Sequence, residues 1–126
     1  MQDANVRSVL IADDDGGLRN ALKLALEAKG YRVQVAANGS EALRLQRKEP
    51  ADVLITDIFM PESDGFEAID GFRSAFPDTR IIAMSGDARR AKREYLSAAA
   101  LIGVDATLKK PFQIGTLLQT LHSLGL

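Results

Sequence analysis

Asp52-Val53-Leu54-Ile55-Thr56-Asp57-Ile58-Phe59-Met60-Pro61-Glu62-Ser63-Asp64-Gly65 is an apolar run that climbs to an acid and then breaks. Val53, Leu54 and Ile55 read as a strand covered on both faces, which is the habit of a parallel sheet. Pro61 and the Asp64-Gly65 pair interrupt the chain before a helical pattern in which Phe66, Ile69, Phe72 and Phe76 align on one face until Pro77. An aromatic stripe at that spacing packs a core. Asp57 is thus expected at the carboxyl end of a buried strand, where a lone acid is most simply a solvated end residue or a helix cap.

Company changes that reading. Upstream, Val9-Leu10-Ile11-Ala12 is a second unbroken apolar run and ends in Asp13, Asp14 and Asp15. Asp15 is the expected cap of a helix with Leu18, Leu22, Ala25 and Leu26 on one face, closed by Gly30. Arg32-Val33-Gln34-Val35 alternates and suits a strand nearer the edge; Asn38-Gly39-Ser40 turns the chain into a short helix over residues 41–48, ended by Pro50. Downstream, Ile81-Ile82-Ala83-Met84 is a third apolar run, ending at Ser85. A basic helix start with Arg89, Arg90, Lys92 and Arg93 leads to Tyr95, Leu96, Ala99 and Ala100 on one stripe, and Gly103 closes it. Asp105-Ala106-Thr107-Leu108 is a short mixed strand before Lys110, and a last helix aligns Ile114, Leu117, Leu118 and Leu121.

Strand and helix therefore alternate through the chain, with connections too long for hairpins. A parallel sheet with helices on both faces is predicted, its three apolar strands central and its two mixed strands at the edges. In such open sheets ligands bind beyond the carboxyl ends of the strands, and Asp13, Asp14, Asp57, Ser85 and Lys110 all fall at that rim.

Composition narrows the function. The chain has 126 residues, 46% hydrophobic and 26% charged, the profile of one ordinary globular domain. A formal net charge of −1 points to neither nucleic acid nor an anionic membrane, and the absence of cysteine removes disulfides, thiolate nucleophiles and thiolate metal sites. The polar start, Met1 to Arg7, lacks a signal-peptide core, and the apolar run near Ala98 to Val104 is too short for a membrane span, so a cytoplasmic protein is expected.

An acid pair, an acid, a hydroxyl and an amine, in that order at four of the strand ends, resemble the receiver domain of two-component response regulators over nearly the whole chain. The pieces are Leu10-Ile11-Ala12-Asp13-Asp14-Asp15, Asp57-Ile58-Phe59-Met60-Pro61 with Asp64-Gly65, Ala83-Met84-Ser85, and Leu108-Lys109-Lys110-Pro111-Phe112. The resemblance implies a flavodoxin-like, doubly wound (βα)5 fold of strand order 2-1-3-4-5, with residues 1–126 a single receiver domain and no output domain. That order, for which a chemotaxis regulator is a standard example, brings Asp13, Asp14 and Asp57 together where the winding reverses.

Two unit charges about 4 Å apart repel by roughly 4 kcal/mol at an effective dielectric near 20, so three clustered carboxylates require a cation. Oxygen donors without His or Cys favour Mg²⁺. The resemblance assigns the metal to Asp14, Asp57 and the backbone carbonyl of Phe59, with Asp13 on a metal-bound water. It makes Asp57 the phosphoacceptor, Lys110 the partner of the phosphoryl oxygens and Ser85 their hydrogen-bond donor, with the Lys110-Pro111 peptide cis. It implies slow self-dephosphorylation, phosphate drawn from a histidine kinase or histidine phosphotransfer protein, output to a downstream protein target, and a monomer or weak phosphorylation-dependent dimer. The bulk of Phe59 is expected to slow or reshape water access, which the phosphate lifetime of Phe59→Asn would test; an unchanged lifetime refutes it.

Two departures stand out. Thr107 occupies the place of the family's aromatic switch residue on the fifth strand, and the stretch from Ser85 to Lys110 is about one helical turn longer than the chemotaxis-type pattern. Taken singly, Lys110 is a snorkelling lysine, Ser85 a cap, and His122 a helix-end residue rather than a phosphodonor. Two other functions remain open: a haloacid-dehalogenase-like phosphatase with Asp13 of Asp13-x-Asp15-Gly16 as nucleophile, and a receiver used only as an interaction module. The first lacks a late acidic pair in the required order and leaves Asp57 unused. A flavin module is disfavoured because three acids after the first strand would repel phosphate.

Overall fold

The apolar runs become strands because every residue in them has a covered face to occupy. In the computed structural model, which describes residues 6–58, 65–85 and 103–126, β1 (Ser8–Ala12), β3 (Val53–Asp57) and β4 (Arg80–Ser85) are almost wholly buried. β2 (Arg32–Ala36) and β5 (Ala106–Lys109) are mixed and lie outside them. All neighbours pair in parallel, giving the order β2-β1-β3-β4-β5. The expected doubly wound α/β architecture is therefore present.

Helices α1 (Gly16–Glu27), α2 (Gly39–Lys48), α3 (Gly65–Ala75) and α4 (Ile114–Ser123) are those among the described residues. Alternation along the strands sorts their partners. Leu10, Ala12, Leu54, Ile81 and Ala83 face a layer closed by Ala42 of α2 and by Ile69 and Phe72 of α3. Val9, Ile11, Val53, Ile55, Ile82 and Met84 face the other layer, closed by Leu22 and Leu26 of α1 and Leu117 and Leu121 of α4. Burying each Val, Leu, Ile, Phe or Met side chain among them is worth about 1.5–3 kcal/mol, which makes these two layers the main source of stability.

Close approach of α2 and α3 needs Gly71: a Cβ there would stand 3.0 Å from both terminal carbons of Leu43. Gly30, at φ 95°, lets the chain leave α1, while the Tyr31 amide returns to the Leu26 carbonyl at 3.1 Å.

Three expectations shift. α2 begins at Gly39, not at residue 41, because Asn38 is the cap: its Oδ1 accepts from the Glu41 amide at 2.9 Å. β5 runs one residue later than its composition suggests, since the Asp105 carboxylate accepts from the Ile81 amide at 2.8 Å and stands before the strand. Ile114 opens α4 and is 37% exposed, because a first-turn residue has no preceding turn to carry it over the core. The expected basic helix after Ser85, and Phe59 through Asp64, lie outside the described residues.

Candidate functional site

Strand parity decides which charged groups can meet. Val9, Ile11 and Asp13 alternate onto one face of β1, Val53, Ile55 and Asp57 onto the same face of β3, and Ala106, Leu108 and Lys110 onto the same face of β5. The apolar members fill the α1/α4 layer, and the polar ones stand above it at the carboxyl rim. Because the sheet order places β1 beside β3, the two acids are neighbours across the reversal of winding.

Lys110 joins them. Its Nζ lies 2.7 Å from Asp13 Oδ2 and 3.4 Å from Asp57 Oδ2. Asp13 is fully buried and Asp57 is 6% exposed. Burial draws the Lys110 ammonium toward a lower pKa, but the hydrogen bonds and charges of Asp13 and Asp57 outweigh it, and the group ends above its usual value. The Lys110-Pro111 peptide is cis, and the Lys110 amide donates to the Ser85 carbonyl at 2.8 Å.

Asp13 is held from several sides. Its amide donates to the Ala36 carbonyl at 3.1 Å, and its Oδ1 accepts from the Asp15 amide at 2.8 Å. Asp15 caps α1 as expected, accepting from the Leu18 amide at 3.1 Å. Arg19, which no motif in the sequence flags, donates from Nη1 to the Asp13 carbonyl at 2.7 Å. Its only signal is position: one helical turn beyond the cap, a long donor can fold back onto the strand end.

Asp14 is exposed, yet one carboxylate oxygen each from Asp13, Asp14 and Asp57 lie within 4.8 Å of one another. Three carboxylates against one ammonium, all oxygen donors, suit a hard divalent cation of the Mg²⁺ kind. Ser85 stands at the end of β4, one residue beyond the Met84 that pairs with Asp57. It is 1% exposed, and its hydroxyl has no hydrogen-bond partner among the described residues. Its parity is that of Ala83, toward the other layer, so the structure brings Asp13, Asp14, Asp57 and Lys110 into one cluster and leaves Ser85 beside it.

An apolar groove of about 450 Å³ adjoins this rim, lined by Leu18, Leu22 and Ala25 of α1 and by Pro111, Phe112 and Ile114. Lys110 and Asp15 also line it.

Comparisons with known proteins agree with this geometry. The family model described as the response regulator receiver domain matches residues 9–122. The response regulator MprA of Mycobacterium ulcerans is 34% identical over 116 residues, covering 92% of this chain and 49% of MprA. This chain thus spans about half the length of the curated relatives it matches. Among solved structures, a CheY-like receiver domain protein of Methanospirillum hungatei superposes with a TM-score of 0.88 at 28% identity, covering 94% of this chain and 93% of that one. The chemotaxis protein CheY4 of Vibrio cholerae gives 0.81 at 34% identity, covering 94% and 98%. No helix among the described residues is long and apolar enough to cross a membrane. With fold, strand-end chemistry and relatives in agreement, the chain belongs to the response regulator receiver domains, the phosphorylation-dependent signalling switches of two-component systems.

Proposed function

We propose that Asp57 is the phosphoacceptor, and that residues 1–126 act as one receiver domain which takes its phosphoryl group from a histidine kinase or histidine phosphotransfer protein. The observation that carries this is the Lys110 ammonium shared between two buried carboxylates at the reversal of winding. A carboxylate held there is close to a cation able to receive phosphoryl oxygens. Asp57 Oδ attacks phosphorus, the bond from phosphorus to the donor nitrogen breaks, and an acyl phosphate forms on Asp57. Lys110 then turns its charge from Asp57 to the phosphoryl oxygens. The Ser85 hydroxyl, buried with no hydrogen-bond partner among the described residues, supplies a further hydrogen bond.

Asp14, Asp57 and the Phe59 carbonyl would hold Mg²⁺, with Asp13 on its water. Bound there, the ion would neutralise part of the negative charge gathered at the site. Water attack on the acyl phosphate returns the domain slowly to rest. Output passes through protein contacts in the cytoplasm. The groove beside the rim is suited to an apolar helix of the donor protein, which would bring its phosphohistidine to Asp57.

Incubation with acetyl phosphate and MgCl2 tests the reading. Label should appear in the wild-type chain, depend on the metal and vanish in Asp57→Asn. Label that persists on Asp13 would favour the phosphatase-like chemistry, and none under any donor would favour a pure interaction module.

A further inference from the structure

The Arg19 guanidinium reaches back from α1 to the end of β1 and bonds the Asp13 carbonyl at 2.7 Å. It lies against Gly16, with Nη2 3.5 Å from where a Cβ would stand. Asp13 has other tethers: the Ala36 carbonyl on its amide, and the Asp15 amide and Lys110 on its carboxylate. Asp14 has none of these. Its side chain is exposed and makes no hydrogen bond or ion pair among the described residues, although its carboxylate is one of the clustered three.

A peptide unit is planar, so fixing the Asp13 carbonyl oxygen also fixes the nitrogen and Cα of Asp14. Arg19 grips the one peptide from which the untethered carboxylate projects. We propose that Arg19 is a positioning residue of the metal site, holding the Asp13-Asp14 peptide so that the Asp14 carboxylate stays aimed at Asp57. This rests on the metal-dependent reading above. Charge and position here have opposite signs, which makes them separable. Loss of a cation beside three carboxylates would by itself tighten a divalent ion, whereas loss of the grip weakens it. Outer partners that orient ligands are typically worth about 10–100-fold in metal affinity.

The test is the affinity of the whole, unphosphorylated chain for MgCl2 alone, by calorimetry or amide NMR titration. Arg19→Met should weaken binding about tenfold, at the lower end of that range because Arg19 is only partly buried. Arg19→Lys, which keeps a charged donor, should recover most of the loss. Unchanged or tighter binding by a folded Arg19→Met chain overturns the proposal, as does Arg19→Lys behaving like Arg19→Met. If Arg19→Met does not fold, Arg19→Gln takes its place under the same criteria. Absence of Mg²⁺ binding by the wild-type chain would remove the metal-dependent reading together with this inference, whereas wild-type binding without an Arg19 effect removes the inference alone.

Discussion

Lys110 holds its proton more tightly in the folded chain than in the unfolded one, because Asp13 and Asp57 face it at 2.7 and 3.4 Å. Its folded pKa lies above the unfolded one. The stability it contributes is therefore complete below the unfolded value near 10.5 and is lost as pH rises through the raised folded value. An NMR titration of the Nζ resonance should show a charged amine throughout the neutral range and titration above that of a free lysine. Titration below the free value would show that burial, not the acids, governs it. Asp13, Asp57 and Lys110 are legible in the sequence as residue types at strand ends, because a polar residue that closes a buried strand belongs at the open rim of the sheet. Arg19 and Gln46 are not. Gln46 is fully buried, donates to Thr79 Oγ1 at 3.1 Å and accepts from the Ala51 amide at 2.9 Å, partners remote from any helical pattern.

Elements are legible where burial is two-sided. β1, β3 and β4 show unbroken apolar runs because both faces are covered, whereas β5 is short and exposed in part, so its start depends on a contact that no periodicity reveals. That contact is Asp105, which accepts from the Ile81 amide at 2.8 Å and from Arg73 Nη2 at 3.0 Å, tying the start of β5 to β4 and α3. Asp105→Ala leaves the Ile81 amide without that acceptor and should cost about 1–3 kcal/mol in urea unfolding. A cost near zero would mean that water replaces the carboxylate. The apolar pattern alone starts α2 too late, although Asn38-x-x-Glu41 is a capping signal; Glu41 Oε1 accepts from the Ala37 amide at 2.6 Å. At the carboxyl rim, Ile114 is exposed and lines the groove beside α1. Ile114→Asp should slow phosphotransfer from a protein donor severalfold while leaving uptake from acetyl phosphate intact. Equal slowing of both would place its effect in the chemistry rather than in docking.

At the scale of the molecule, five short parallel strands in the order β2-β1-β3-β4-β5 do one thing for function: they convert sequence separation into adjacency. Asp13 and Lys110, 97 residues apart, end within 2.7 Å. Alternation alone allows a parallel sheet, but the order comes from resemblance to a family, since burial sorts strands into central and edge without saying which edge is which. On the proposed reading, this adjacency makes Asp57, and no other acid, the acceptor of phosphate. The chain should be incubated with acetyl phosphate and MgCl2, trapped with hydroxylamine and mapped by peptide mass spectrometry. A hydroxamate on Asp57 alone is the predicted result, and modification of Asp13 or Asp14 with Asp57 untouched would contradict it.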